Sequence, residues 1–423
     1  AFSCRMAISA ETVESSVGKK INDFQLKDFR GKEYGLAGFD DAEVIVAYFL
    51  GTECPLAKLY GPQMQRIQNQ FQKDRVVILG ISSNCQDSVT EIAAYARQHG
   101  ITFPILKDLG NRVADQFGAT RTPQVFLLDR DRIVRYQGRI DGQYTFGSGV
   151  GQVAPQNRRQ DLAVAINQVL AGDVVEVAYT EAKGCLIGRV REPKTSDVTY
   201  TRQIARMMQD RCLECHREGQ IAPFALDNYE DVAGWGEMIA EVVREQRMPP
   251  WHADPRYGHF ANEVRLTEEE KQQLFTWVDN GCPQGDPRDM PTPRKFHEGW
   301  FLPDGPDQVF HISDKPFPVQ AEGTEPYRYF EVNPQFNEDK YIRLAECMPD
   351  TKSVVHHIIV FLKPPGTPVI APGTPDKDVD PSNFIFLVGF APGTRPIEMP
   401  EGWARRIPAG YSLVFEMHYT PNG

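Results

Sequence analysis

The sequence predicts a multidomain fold: an α/β domain, an all-α domain and an all-β sandwich in that order. Three changes of pattern carry this. Up to about residue 175, short apolar runs alternate with helically spaced segments, the mark of sheet-and-helix layers. Residues 201–287 show helical patterns, no convincing strand, and frequent Gly and Pro between them. From about 290 onward Pro is frequent and β-branched or aromatic runs dominate, as in sandwiches. Residues 176–200, which include the run REPKTSD, read as a linker.

The elements follow from local pattern. Glu43–Gly51 and Val76–Ser82 are apolar runs of buried-strand length, and Gln124–Asp129 is a third that Arg132–Gly138 could pair with. Helical spacing marks Pro55–Phe71, Asp87–His99 and Asp161–Leu170. In the second segment, Thr267 with Glu270 forms a capping box, in which hydroxyl and carboxylate satisfy each other's free backbone N–H groups. The helix it opens should run to about Asn280 and stop at Gly281. In the last segment, Val354–Leu362, Phe384–Phe390 and Tyr411–His418 read as strands.

Composition limits the function. The chain has 423 residues, 46 Lys plus Arg and 57 Asp plus Glu, for a net charge of -11. At about 100–200 residues per domain this length suggests two to four domains. The acidic balance, with no basic stripe, excludes nucleic acid as the expected partner. No apolar run approaches the roughly 20 residues that span a bilayer. The eight cysteines are spread over the whole chain, so they are not the framework of a small disulfide scaffold. Cys4 is read as a free thiol, since the three residues before it make a poor lipobox.

Cys212-Leu-Glu-Cys215-His216 is C-x-x-C-H. Two thiols at this spacing reach both vinyl groups of a haem, and the adjacent His faces the iron. A structural zinc site would need a second ligand pair, and no second C-x-x-C exists. Met248, between Arg247 and the Pro249-Pro250 pair, is the expected sixth ligand, with His252 and His259 as rivals. The segment resembles a small monohaem cytochrome c domain. The likeness rests on CLECH, IAPF (221–224), RMPPWHADP (247–255) and the final Trp277 helix ending NGCPQGDP. It implies a periplasmic or secreted location, because haem is attached to cytochromes c outside the cytoplasm.

Cys54 follows a strand and opens a helix with Pro55 at its first turn. A helix N-terminus favours the thiolate, and Pro at that position loses no hydrogen bond. With Thr122-Pro123 ahead of QVFLLD, residues 17–172 resemble the redoxin or thioredoxin-like family. That likeness implies a central mixed sheet and a cis Thr-Pro bond packed against Cys54. The dithiol of the family is altered, because Ala57 stands where C-x-x-C has its second cysteine. The peroxidase pattern is altered too: Gly51 lies three residues before Cys54, and Thr52 two. Cys54 is the candidate redox thiol, with Cys85 or Cys185 as a resolving partner. A retained fold with an inert cysteine is the other reading.

His356 and His357 are adjacent, and His418 lies near the end of the sequence. Three imidazoles without a thiolate suit copper or zinc. Consecutive strand residues point to opposite faces, so His356 and His357 share one ion only across a bulge or strong twist. Otherwise one is a surface residue and the other packs in a core. Met417 alternates away from His418 and belongs in the core. His297 and His311 read as surface or packing residues. ECMPDTKSVVHHIIVFL and PAGYSLVFEMHYTPNG resemble the first half of a copper type II, ascorbate-dependent monooxygenase of the peptidylglycine α-hydroxylating kind. The likeness covers about 300–423. It implies copper on His356, His357 and His418, and a second copper domain beyond it. The sandwich over 290–423 is therefore expected to be truncated at its C-terminal end.

Together these readings anticipate a redoxin-like domain (1–175), a linker (176–200), a cytochrome c-like haem domain (201–287) and a copper monooxygenase-type sandwich (290–423). The expected protein is an exported oxidoreductase in which haem c relays electrons to copper, with an accessory thiol domain. Its partners would be an electron-transfer protein or small reductant and a small-molecule or peptide substrate. The alternatives are a thiol peroxidase or disulfide reductase using Cys54, or a non-catalytic electron carrier.

Overall fold

A computed structural model describes residues 15–146, 150–153, 159–251, 253–254, 256–260, 262–297, 299–301, 305–321 and 325–421. Cys4 and His252 lie outside the described residues. Among the described residues the chain divides into two compact units, one built on residues 15–146, 150 and 159–190, the other on residues 151–153 and those from 191 onward. The helical segment and the β-rich segment fall within the same second unit.

The first unit is a seven-stranded mixed sheet flanked by helices. Its strands are β1 (Leu26–Asp28), β2 (Glu33–Tyr34), β3 (Val44–Phe49), β4 (Val76–Ser82), β5 (Ile105–Lys107), β7 (Gln124–Leu128) and β8 (Val134–Gly138). They lie in the order β2-β1-β5-β4-β3-β7-β8. β3, β4 and β5 run parallel, and β7 returns antiparallel beside β3. Every residue of β3 is buried, which is why it reads as an unbroken apolar run. Helices α1 (Pro55–Gln70), α2 (Val89–Gln98), α3 (Arg112–Phe117) and α4 (Asp161–Ala171) complete the unit. Phe49, Phe117 and Phe126 meet edge to face at 5.2–5.6 Å behind the strand that leads to Cys54.

The expected linker over 176–200 needs correction. Residues 176–190 belong to the first unit. A short strand, Cys185–Leu186, pairs antiparallel with β6 (Arg121–Thr122), and Cys185 and Ile187 are buried. Two residues in extended backbone show no periodicity, so the pairing left no pattern to read.

In the second unit, residues 200–282 are helical, without a strand among the described residues. The helices are α5 (Ala205–Arg211), α6 (Tyr229–Gly234), α7 (Gly236–Arg244) and α8 (Glu268–Asp279), and Trp277 of α8 is fully buried beside Tyr200. The Thr267–Glu270 capping box is formed. α8 ends at Asp279 with Asn280 as its C-cap, and Gly281 takes φ +73°, where its missing side chain also clears Glu192 O.

The β-rich segment is built on a five-stranded antiparallel sheet. Its order is Thr374–Pro375, Arg328–Val332, Ser412–Tyr419, Val355–Lys363, Ile385–Phe390. Two short ribbons, Lys340–Ile342 with Arg405–Ile407 and Leu344–Ala345 with Ile397–Glu398, accompany it. Ile407, Ile342, Ala345 and Ile397 from these ribbons pack on the sheet's apolar residues, Phe330, Ile358, Val360 and Met417 among them. Within the sheet, Lys363 and Glu331 form a buried ion pair at 2.7 Å, and Glu331 also accepts the Ile370 N–H.

Candidate functional site

The thiol site forms where β3 ends. The chain turns through Gly51 and Thr52 so that Cys54 caps α1 with Pro55 in the first turn. Gly51 is required here, because a Cβ would lie 2.4 Å from Asn84 Nδ2. Cys54 is fully buried, and its thiol donates to Thr122 O at 2.9 Å. The Thr122–Pro123 bond is cis, as the family likeness implied. Cys185 lies directly opposite Thr122 across the short strand pair, and its thiol hydrogen-bonds to the Cys54 sulfur. Gly184, at φ +151°, permits this approach, since a Cβ there would lie 2.0 Å from Thr122 O. The structure therefore selects between the two expected resolving thiols. Cys85 is exposed and bonds only to its neighbour Gln86 through its side chain.

Burial pushes the Cys54 thiol up. Hydrogen bonds to its sulfur from the Cys185 and Thr122 side chains and from the Ala57 and Cys185 backbone outweigh burial and bring it down to about 7. The Thr122 hydroxyl is buried with no nitrogen or oxygen partner, so its proton is available to that sulfur. Beneath the turn, buried Asp87 accepts from Thr52 N, Thr52 Oγ1, Ser82 Oγ and Asn84 Nδ2 at 2.9–3.3 Å. It holds the Gly51–Cys54 turn against β4.

The three histidines converge. His356, His357 and His418 place a ligand nitrogen each within 4.8 Å of the others. Strand alternation would separate His356 from His357, but the pairing of Val355–Lys363 with Ser412–Tyr419 slips between Val355 and His357. That bulge swings both imidazoles to one side, opposite His418, which pairs with His357. Tyr327 lies over His418 and His357, with ring centroids 4.6 and 5.6 Å away. His418 Nδ1 is buried without a hydrogen-bond partner. Burial, then the neighbouring His356 and His357, pull His418 down to about 4, so at neutral pH it is the uncharged form that ligates. An orphaned nitrogen in an all-imidazole cluster fits a borderline metal such as copper or zinc. Met417 is buried on the opposite face, and His297 and His311 are exposed.

At the C-x-x-C-H motif, which follows α5, Cys212 and Cys215 are free thiols. Burial raises both, to about 12 and about 11, and the neighbouring Cys215 and Glu214 add to this respectively. Unlike Cys54, they are held protonated. His216 Nδ1 lies 3.0 Å from Phe224 O, and Phe224 stacks on Trp235 with centroids 4.1 Å apart. With Nδ1 donating, Nε2 is left with its lone pair, the tautomer an iron ligand needs. Met248 sits on the loop after α7 and is 39% exposed. Trp251 Nε1 nearby is buried without a partner, and Tyr257 and Phe260 expose apolar surface. Among the described residues, no hydrogen bond or ring contact joins Met248 or His259 to His216. Apolar exposure with an orphaned indole N–H suits a large, mostly apolar group.

Comparison with known proteins bears on the first unit. Residues 17–137 match the family model described as AhpC/TSA family. Residues 17–137 form a thioredoxin-like redoxin domain. The domain is similar to thiol-disulfide oxidoreductase ResA of Geobacillus thermodenitrificans, at 29% identity over 125 residues, 30% of this chain and 70% of ResA. It is also similar to the chloroplastic peroxiredoxin Q of Populus jackii, at 26% over 140 residues, 30% of this chain and 64% of that protein. A hypothetical protein from Sinorhizobium meliloti 1021, known as a crystal structure, matches with 27% identity and a TM-score of 0.37, covering 41% of this chain and 94% of its own. No described helix is long and apolar enough to cross a membrane.

The redoxin domain makes a direct prediction. Thiolate at Cys54 forms above about pH 7, whereas burial raises exposed Cys85 from its ordinary value of 9.0. Alkylation by iodoacetamide, read site by site by mass spectrometry, should therefore be half-maximal near pH 7 at Cys54 and level off above it, and should still climb at pH 9 at Cys85. A Cys54 profile that climbs with that of Cys85 contradicts the hydrogen-bonded thiolate.

Sequence reading missed three participants: the Phe224 carbonyl, the Tyr327 ring and the closeness of Cys185. None carries a motif. The one available hint was Gly184-Cys185, a glycine beside a cysteine inside an otherwise featureless run.

Proposed function

We propose that this chain is an exported redox protein with two one-electron centres, a c-type haem and a monooxygenase-type copper, beside a thiol-redox domain. The observation that carries the reading is the three-imidazole cluster, assembled by a strand bulge with no evident structural purpose. Cys212 and Cys215 would hold the haem covalently, and His216 and Met248 would supply ligands to its iron. His356, His357 and His418 would hold the copper. When bound, these groups would supply single-electron transfer, and Met/His ligation favours a raised haem potential. The chain's own residues orient the donors: Phe224 O fixes the His216 tautomer, and the bulge aims His356 and His357. An electron-transfer protein or small reductant is the partner, and a small molecule or peptide is the substrate. The similarity of the C-x-x-C-H segment to cytochromes c supports export.

The test is expression into an oxidising compartment with haem maturation, followed by a dithionite-reduced spectrum and metal analysis. The expected result is haem that stays on the polypeptide after denaturation, with one copper per chain. A chain with neither overturns the reading.

A second reading, thiol-disulfide or peroxide chemistry at Cys54, has its own support. Cys54 lies against the cis Thr122–Pro123 bond with a lowered pKa, and the similar proteins are named as a thiol-disulfide oxidoreductase and a peroxiredoxin.

A further inference from the structure

We propose that Cys54 and Cys185 form a redox-active dithiol that reduces a disulfide substrate, with Cys185 replacing the second cysteine that a C-x-x-C motif would carry. The inference rests on the thiol reading above and adds its resolving residue.

Three observations carry it. First, both thiols converge on Thr122: Cys54 Sγ bonds to Thr122 O, and Cys185 is the cross-strand partner of Thr122. Second, the position where a local partner would stand is Ala57, itself buried, so no thiol within α1 competes. Third, the approach depends on Gly184, whose φ of +151° and lack of Cβ let the Cys185 strand close on Thr122. A cavity of about 260 Å³ opens among residues that neighbour the pair in sequence. Its wall includes Leu56, Pro123 and Lys183, which lie within two residues of Cys54, Thr122 and Cys185. Tyr60, Arg139 and Asp141 complete much of the remainder.

The chemistry balances. Cys54 thiolate attacks one sulfur of the substrate disulfide, forms a mixed disulfide and expels a thiolate, which takes a proton from water. Cys185 then loses its proton and attacks Cys54 Sγ. This closes the Cys54–Cys185 disulfide and expels the second substrate thiolate. Two electrons pass from the protein dithiol to the substrate, and two substrate thiols leave. While Cys54 is a thiolate, the Cys185 thiol donates its hydrogen to it and stays protonated. It becomes free to attack once Cys54 is bonded to substrate.

The test uses the full chain, reduced, then mixed with glutathione disulfide, acid-quenched, alkylated and mapped by mass spectrometry. Wild type should give a linked Cys54–Cys185 peptide with little glutathione retained. Cys185→Ser and Cys185→Ala should instead accumulate glutathionylated Cys54, by about tenfold or more over wild type. Cys85→Ser should behave as wild type. Circular dichroism checks the fold of each variant, and a Gly184→Ala chain, which moves the strand without removing the thiol, should also retain glutathione. If Cys54 takes glutathione equally in wild type and both Cys185 variants, the couple is wrong while the thiol reading stands. A Cys54–Cys85 link has the same meaning. If Cys54 never takes glutathione in any of them, the thiol reading itself fails.

Discussion

Replacing His418 by Ala should remove copper from the chain while leaving the sheet intact. The three imidazoles would share the proposed copper, their ligand nitrogens lying within 4.8 Å of one another, so each would supply a third of the donor set. Loss of an outer-shell partner alone costs about 10–100-fold in metal affinity, and loss of a ligand should exceed that. We expect copper affinity to fall by more than about 100-fold, read by competition against a chelator. The fold should tolerate the change, because His418 Nδ1 makes no hydrogen bond to lose. Met417→Leu is the matched control. It changes the adjacent residue, but on the buried face among Phe330, Ile358 and Phe415, and such volume-conserving swaps cost under about 1.5 kcal/mol. Copper binding should be unchanged in it. Full copper retention in His418→Ala would falsify the site, and equal loss in Met417→Leu would show that only the sheet had been damaged.

Trp277→Ala should be the most damaging single change in the helical segment. Trp277 is fully buried on α8, donates its indole N–H to Pro283 O at 3.0 Å and packs against Tyr200. Truncation removes one of the largest buried side chains among the described residues, opens a cavity and takes from Pro283 O one of its two donors, leaving the Tyr200 N–H. Such changes cost about 3–5 kcal/mol. A chain of two compact units need not unfold in one step, so the readout is amide hydrogen exchange along α8, where the opening free energy should drop by that amount. Trp277→Phe keeps most of the apolar volume and loses the hydrogen bond while Pro283 O keeps the Tyr200 N–H, so a drop of about 0.5–1.5 kcal/mol is expected. If Ala and Phe cost the same, packing is not what holds α8.

These two sites differ in how far the sequence disclosed them. The α8 helix was legible almost to the residue, because a capping box and a terminal glycine act within a few positions of the elements they bound. The histidine cluster was legible only as a condition. Adjacent histidines on a regular strand face apart, and the pairing slip at His356 is a property of two strands separated by dozens of residues. The C-x-x-C-H motif was visible as a candidate because its pattern is contained in five residues. The carbonyl of Phe224 that orients His216 was not, since backbone acceptors have no residue signature.

What the sequence determined by itself is local: the α/β, helical and β-rich grammar, the strands β3, β4 and β7, the caps, and which side chains are candidates for chemistry. Local sterics and burial period dictate those within a turn or a strand. What only the tertiary structure decided is adjacency. It moved residues 176–190 out of the expected linker and onto β6, grouped the helical and β-rich segments in one unit, and chose Cys185 over Cys85 as the neighbour of Cys54. The reason is that hydrophobic period reports which face of a segment is buried. It does not report which distant segment buries it, and two-residue strands such as Arg121–Thr122 and Cys185–Leu186 have no period at all.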